Sequence, residues 1–234
     1  MRCRAYAPPV DRRTSLARDP WPVVGVANAL GFVAVAAIVN GQGTVLVDAP
    51  LIDVVRGLHV PVDAWRAVTQ AGGWLLVVVG AALVLGLVAA GRARMALVVA
   101  IALVAAPLFT DTMKDLIARP RPPDPVADAG GYSFPSGHTL NSTVTYGIAA
   151  LEVWRGSLAW RARAAITASL IVLIVFVGLS RIALGVHYPS DVIAGWLAGT
   201  VVVSIVAVLD RADRASRAGI ASRSVRADQR TPRP

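Results

Sequence analysis

Residues 164–191 read AAITASLIVLIVFVGLSRIALGVHYPSD: seventeen positions without a charge, Ala164 to Ser180, then Arg181, His187 and Asp191 within the next eleven. The uncharged part decides the fold. A hydrocarbon core about 30 Å thick takes about 20 apolar residues per helix, and a spanning helix satisfies its own backbone hydrogen bonds. Five further runs free of Asp, Glu, Lys and Arg lie at Pro20–Val47, Ala67–Gly91, Met95–Thr110, Ala129–Leu151 and Val192–Leu209. Trimmed at Pro, Gly and polar ends, the six runs predict helices at 21–39, 74–91, 95–115, 136–154, 164–184 and 190–209. Composition agrees: 56% of the 234 residues are hydrophobic and 16% charged, against roughly 45–50% and 25% in a soluble domain. The single cysteine, Cys3, rules out an intrachain disulfide. Collagen, a disordered chain and a disulfide scaffold are excluded. The predicted fold class is an all-α integral membrane protein, six transmembrane helices in a bundle.

The connections orient it. The first run follows an Arg-rich stretch but lacks a small-x-small cleavage site before a mature soluble chain, so it reads as a permanent span rather than a signal peptide. Of 23 basic residues, 22 are Arg and one is Lys114. Seventeen fall before span one, between spans two and three, between four and five, and after six; six fall on the other side (Arg56, Arg66, Lys114, Arg119, Arg121, Arg181). The positive-inside rule then puts both termini in the cytoplasm. The domains follow: a cytoplasmic Arg-rich tail over 1–19, a six-helix membrane domain over 20–210, and a second tail over 211–234, both tails polar and expected to be mobile. Two outward loops are long, at 40–73 and 116–135. The first holds an interfacial helix around Leu51–Leu58, broken by Pro61. The second runs extended through Arg119-Pro120-Arg121-Pro122-Pro123-Asp124-Pro125, since residues before Pro avoid the α region, and loosens at Gly130-Gly131.

Chemistry collects on the outward side. The end of span three supplies Lys114 and, seven residues on, Arg121-Pro122; span four opens at Pro135-Ser136-Gly137-His138; spans five and six bring Ser180-Arg181, His187 and Asp191. Charged groups at membrane depth are costly and usually functional. Lys114, Arg121 and Arg181 suit the oxygens of a phosphoryl group, Arg by bidentate forks and Lys as a point charge. Ser136 and Gly137 open a helix whose first N–H groups lack intrahelical partners and suit an anion. Such donors stabilise charge without a metal. His187 and Asp191 are four apart, and Pro189 suits the first turn of helix six, so Asp191 in that turn orients the imidazole. His187 is therefore the candidate nucleophile and His138 the general acid.

These blocks resemble the three-part motif of the type-2 phosphatidic acid phosphatase family: Lys114-x6-Arg121-Pro122, Pro135-Ser136-Gly137-His138, and Ser180-Arg181-x5-His187-x3-Asp191. Every motif position matches, over about 78 residues from Lys114 to Asp191. The resemblance implies the helical fold that family shares with soluble vanadium haloperoxidases, and six spans argue against the soluble branch. It also implies a metal-independent phosphatase without cofactor, working through a phosphohistidine on His187, with Lys114, Arg121, Ser136, Gly137, His138 and Arg181 holding phosphate. The substrate it implies is a phosphorylated membrane lipid at the extracytoplasmic face of the plasma membrane. A polyprenyl diphosphate such as undecaprenyl diphosphate comes first. Phosphatidic acid or phosphatidylglycerophosphate hydrolysis, or lipid phosphotransfer, is the alternative.

Other polar residues read as structural. Asp111 and Asp115 flank Lys114 at helical spacing and suit pairing with it. His59 has no motif around it. Asn141, Ser142 and Thr145 continue one helical face from His138 and suit packing or the site floor. Arg119 reads equally as a headgroup contact or a solvated charge. Gly195-x3-Gly199 has the spacing of close helix contact. The basic tails are explained by orientation and anionic lipid rather than nucleic acid. No oligomeric state follows.

Overall fold

A computed structural model describes residues 19–40, 45–123 and 125–228, excepting the side chains of 220–228. Most of the N-terminal tail, the end of the C-terminal one, and Asp124 of the proline-rich segment lie outside the described residues. Every regular element among those described is a helix: α1 (Trp21–Val39), α2 (Asp48–Arg56), α3 (Val62–Gln70), α4 (Leu75–Ala89), α5 (Ala93–Ile117), α6 (Gly137–Arg155), α7 (Trp160–Ala183) and α8 (Pro189–Asp228).

α6 lies at the centre, packed on α5, α7 and α8, while α1 runs along α8. The main core joins Leu87 of α4, Met95, Val99 and Ala106 of α5, Leu140, Val144 and Ile148 of α6, and Ala198 and Val206 of α8. Outside that core the surface stays apolar: Val23, Leu30, Val77, Leu85, Leu97 and Leu108 are all more than 60% exposed. A large continuous apolar exterior needs lipid to cover it. Five segments are long and apolar enough to cross a bilayer: Trp21–Val39, Val62–Ala89, Ala93–Ile117, Trp160–Ala183 and Pro189–Gly219. α6 is not one of them. Its polar side chains, Thr139, Ser142, Thr143 and Thr145, are buried inside the bundle, so neighbouring helices rather than lipid surround them.

Three elements depart from the sequence expectation. The long connection before α4 carries the expected helix, α2, and also α3, whose Trp65 packs on Leu184 and Val186. α8 continues well past 209, through Asp228, because the loss of hydropathy there ends an apolar face, not a helix. The pairs Asp210–Arg214 and Asp213–Arg217, each 2.9 Å and four residues apart, support the continuation. α4 begins one residue later than expected and its turn into α5 passes through Gly91 at φ 69°.

The small-x3-small pair does pack helices. A Cβ on Gly195 would stand 2.9 Å from the Ser136 carbonyl oxygen, and one on Gly199 would stand 2.5 Å from Thr143 Cβ. α8 therefore touches the backbone of α6 directly, which brings the start of α6 beside the start of α8.

Candidate active site

α5 delivers the first residue. Lys114 sits in its last turn, 3.7 Å from Asp111, as the helical spacing led one to expect. The helix ends at Ala118 in the left-handed region, φ 49°, its N–H donating to the Lys114 carbonyl. That reversal throws Arg119 inward and Arg121 back toward the α7–α8 turn. The Arg121 guanidinium then donates to three carbonyls, Gly130 (2.8 Å), Gly131 (3.0 Å) and Val186 (2.7 Å), so it is fixed before any substrate arrives. Its Nη1 also faces His187 Nε2 at 3.3 Å.

That contact assigns the ring proton. A guanidinium can only donate, so Nε2 accepts and the proton lies on Nδ1, which is 3.4 Å from Asp191 Oδ2. Nε2 is then the unprotonated ring nitrogen of the candidate nucleophile, and it faces the Arg121 guanidinium. Burial pushes the His187 pKa down to about 4, with Arg121 and Arg181 acting in the same direction and Asp191 opposing them. At neutral pH the ring is therefore uncharged, the form a nucleophile requires.

The other partners come from α6 and α7. Arg181, near the end of α7, donates through Nη1 to Thr69 Oγ1 at 2.8 Å, and its buried Nε has no hydrogen-bond partner among the described residues. His138 stands in the first turn of α6. Lys114, Arg121, Gly137, His138, Arg181 and His187 all line one cavity of about 320 Å3, together with Asp111, Asp128 and Asn141. Six of the eight residues singled out in the sequence thus meet around a single space.

The remaining two stand behind it. Asp191 is fully buried and acts on His187 from the far side. Ser136 is fully buried as well and does not line the cavity; its N–H donates to the Asp191 carbonyl at 3.1 Å and its Oγ accepts from Thr139 at 2.9 Å. Its amide is committed to tying α6 to α8, where the sequence reading offered it to an anion. Gly137 does line the cavity, against Thr110.

Arg119 is the clearest departure. It is neither a headgroup contact nor a solvated charge: its exposure is 0%. It donates to Asp191 Oδ1 (2.6 Å), Ser190 Oγ (2.7 Å) and Asp48 Oδ2 (2.7 Å), with its guanidinium 4.1 Å from the Tyr188 ring centroid. Asp48, Thr69 and Asp128 were likewise missed. Nothing local marks them; Asp48 is 71 residues from Arg119 and Thr69 is 112 from Arg181. His59, by contrast, stays in the turn after α2, at φ 50°, away from the cavity.

Three cations, a neutral imidazole fixed by a carboxylate, and a second imidazole facing the same space can bind a tetrahedral anion, attack it and protonate a leaving group. Comparisons with known proteins agree with that chemistry. The model of a family described as the PAP2 superfamily matches residues 93–214. Phosphatidylglycerophosphatase B of Bacillus subtilis (strain 168) is 32% identical over 106 residues, covering 44% of this chain and 52% of the relative. The matching region therefore spans about half the length of that curated relative. The crystal structure of the first transmembrane PAP2 type phosphatidylglycerolphosphate phosphatase from Bacillus subtilis superposes with a TM-score of 0.68 at 24% identity, over 80% of this chain and 96% of that one. Aquifex aeolicus LpxE superposes with a TM-score of 0.55 at 20% identity, over 70% of this chain and 96% of that one. These two likenesses show the fold.

Proposed function

Because the chain belongs to the PAP2 superfamily, we propose that it is an integral-membrane lipid phosphatase working through a phosphohistidine on His187. The observation that carries this reading is that His187 and His138 open onto one cavity ringed by Lys114, Arg121 and Arg181. His187 Nε2 forms a bond to phosphorus as the lipid oxygen leaves in line, and that oxygen takes its proton from His138, which enters the step protonated because the bound phosphate's negative charge offsets the cations around it. Water then attacks the phosphohistidine, giving a proton to His138, and the N–P bond breaks to release phosphate. The three cations hold the phosphoryl oxygens through both steps. They also repel a metal ion, so the reaction runs on protein groups alone.

The substrate is a lipid because the cavity continues sideways. An apolar groove of about 710 Å3, lined by Leu76, Val77, Val84, Leu103 and Val104, shares Gly72, Pro107 and Asn141 with the phosphate cavity. A hydrocarbon chain lying there keeps its tail apolar while its phosphate reaches the cations. Orientation follows from the two ends of the bundle. α5 is 25 residues long, about 37 Å at 1.5 Å per residue, with the cavity at its end and Arg92 at its start. There Arg92 meets Glu152 and Asp210, joined by Arg155 and Arg214. The positive-inside rule favours this Arg-rich end in the cytoplasm, which supports a site at the outer face of the plasma membrane. Undecaprenyl diphosphate is the first candidate, since that carrier is left on the outer side after glycan polymerisation. Phosphatidylglycerophosphate is the second, favoured by the name of the Bacillus subtilis relative.

The test is phosphate release by purified protein in detergent from polyprenyl diphosphates, phosphatidic acid and phosphatidylglycerophosphate, with EDTA throughout. One lipid class dominates and the chelator leaves its rate unchanged; an acceptor alcohol added to the assay separates hydrolysis from transfer. His187→Ala abolishes both turnover and labelling of the protein by substrate phosphate. Normal lipid hydrolysis by that variant refutes the nucleophile, and release from no lipid refutes the function.

A further inference from the structure

Behind the nucleophile lies a chain of buried charge that the phosphate chemistry does not use directly. Asp191 receives the Tyr188 N–H on Oδ2 at 3.0 Å, the same oxygen that faces His187 Nδ1, while Oδ1 is held by Arg119 at 2.6 Å. Arg119 in turn is held by Asp48, from the first turn of α2 in the long outward loop. Asp48 is itself fixed: its Oδ1 accepts the Ser190 N–H at 2.9 Å and its Oδ2 the Val45 N–H at 3.0 Å. Asp48, Arg119 and Asp191 all have side-chain exposures of 0%. Three ionised groups out of water are retained at considerable desolvation cost unless their geometry is close and fully bonded.

We propose that Arg119 and Asp48 are positioning residues for catalysis: Arg119 locks the Asp191 carboxylate against His187, and Asp48 sets how much of the Arg119 charge Asp191 feels. The proposal rests on His187 being the nucleophile and extends its support from one carboxylate to an ordered series, His187–Asp191–Arg119–Asp48. The arginine acts through Asp191 and does not line the cavity. Its fork is what bridges two carboxylates, which a lysine ammonium cannot reproduce. The series also makes the outward loop part of the site, because Asp48 ties α2 to the nucleophile's carboxylate through Arg119.

The electrostatics give the two partners opposite signs. Removing Arg119 frees Asp191 to stabilise a protonated His187, so the ring titrates at higher pH. Removing the Asp48 charge leaves the Arg119 charge undivided on Asp191, so the ring titrates at lower pH. The other charged or titratable groups around the cavity, Asp111, Lys114, Arg121, Asp128, His138 and Arg181, are unchanged in both variants.

The experiment compares wild type, Arg119→Met, Arg119→Lys and Asp48→Asn in full-length detergent-solubilised protein. It reads kcat and KM for the best lipid, the acid limb of kcat/KM, and the His187 ring by NMR with labelled histidine. The substrate's own ionisation is common to all four and cancels. Arg119→Met lowers kcat by about 10- to 100-fold, by analogy with the loss of outer hydrogen-bond partners behind metal-bound histidines, with KM within about threefold, and moves the acid limb up. Asp48→Asn moves it down, and Arg119→Lys falls between Arg119→Met and wild type. Unchanged kcat and limb in folded Arg119 variants, or shifts of one sign in all three, overturn the proposal. If Arg119→Met does not fold, Arg119→Lys and Asp48→Asn decide it. The ring titration needs no turnover, so failure to hydrolyse any lipid defeats the proposed function while the coupling is still decided by NMR.

Discussion

At the scale of single residues the site works by keeping a histidine dry. His187 is 3% exposed and its pKa lies at about 4, burial being the largest cause. An unfolded chain takes up that proton near pH 6.5, whereas the folded protein does not until about pH 4. Acidification between those values therefore favours unfolding, and above pH 6.5 this group contributes no pH dependence. A histidine NMR titration is expected to show His187 neutral at pH 5.5, where an exposed imidazole is mostly charged; a midpoint near 6.5 contradicts the burial argument. Arg181 gives a second prediction. Among the described residues its guanidinium hydrogen-bonds to the side chain of Thr69 alone, so Thr69→Val leaves its fork unanchored, and the expected result is a raised KM with a smaller change in kcat, measured on the preferred lipid. Lys114, Arg121, His138, Arg181, His187 and Asp191 were all legible in the sequence, since each belongs to a short block with fixed spacing. Arg119 stands beside the fixed positions of one block and was misread, because its partners lie in another loop and on α8.

Among the elements, the contact between α6 and α8 does most to assemble the site. It brings His138 and Ser136 to Asp191 by letting backbone approach backbone at Gly195 and Gly199. Gly199→Ala drives a Cβ to 2.5 Å from Thr143 Cβ, and overpacking of that kind costs about 1–3 kcal/mol. The expected result is a lower thermal midpoint together with reduced turnover. Gly86→Ala in α4 is the opposite case. Nothing lies within 4 Å of the added methyl, so replacing a helical glycine should stabilise by about 0.5–1 kcal/mol and leave turnover unchanged. Equal losses in both variants contradict this account of the helix contact. Helices built from long uncharged apolar runs were placed closely from sequence, α1 at both ends. α3 and the far half of α8 were not, because their stability comes from Trp65 packing under Leu184 and from ion pairs rather than from hydropathy.

For the whole molecule, the proposed topology rests on the division of charge between the ends. The Arg92, Arg155 and Arg214 guanidiniums converge on Glu152 and Asp210 at one end, and the phosphate cavity opens at the other. Impermeant maleimide is expected to label Cys3, the single native cysteine, only after the inner membrane of cells is opened. A cysteine placed at Tyr132, 43% exposed in the loop between α5 and α6, in a Cys3→Ser background should react without that step. The reverse pattern would invert the protein in the membrane and remove the outer-face substrates. By itself the sequence determined the all-helical membrane character, the extent of the apolar runs and the blocks that carry phosphate chemistry, because hydropathy and spacing act within a few turns of chain. Only the tertiary structure decided that Ser136 ties two helices together, that Thr69 holds Arg181, and that Arg119 bridges Asp48 and Asp191. Those pairings join residues tens of positions apart, and burial makes each charge depend on whichever partner the chain's path brings to it.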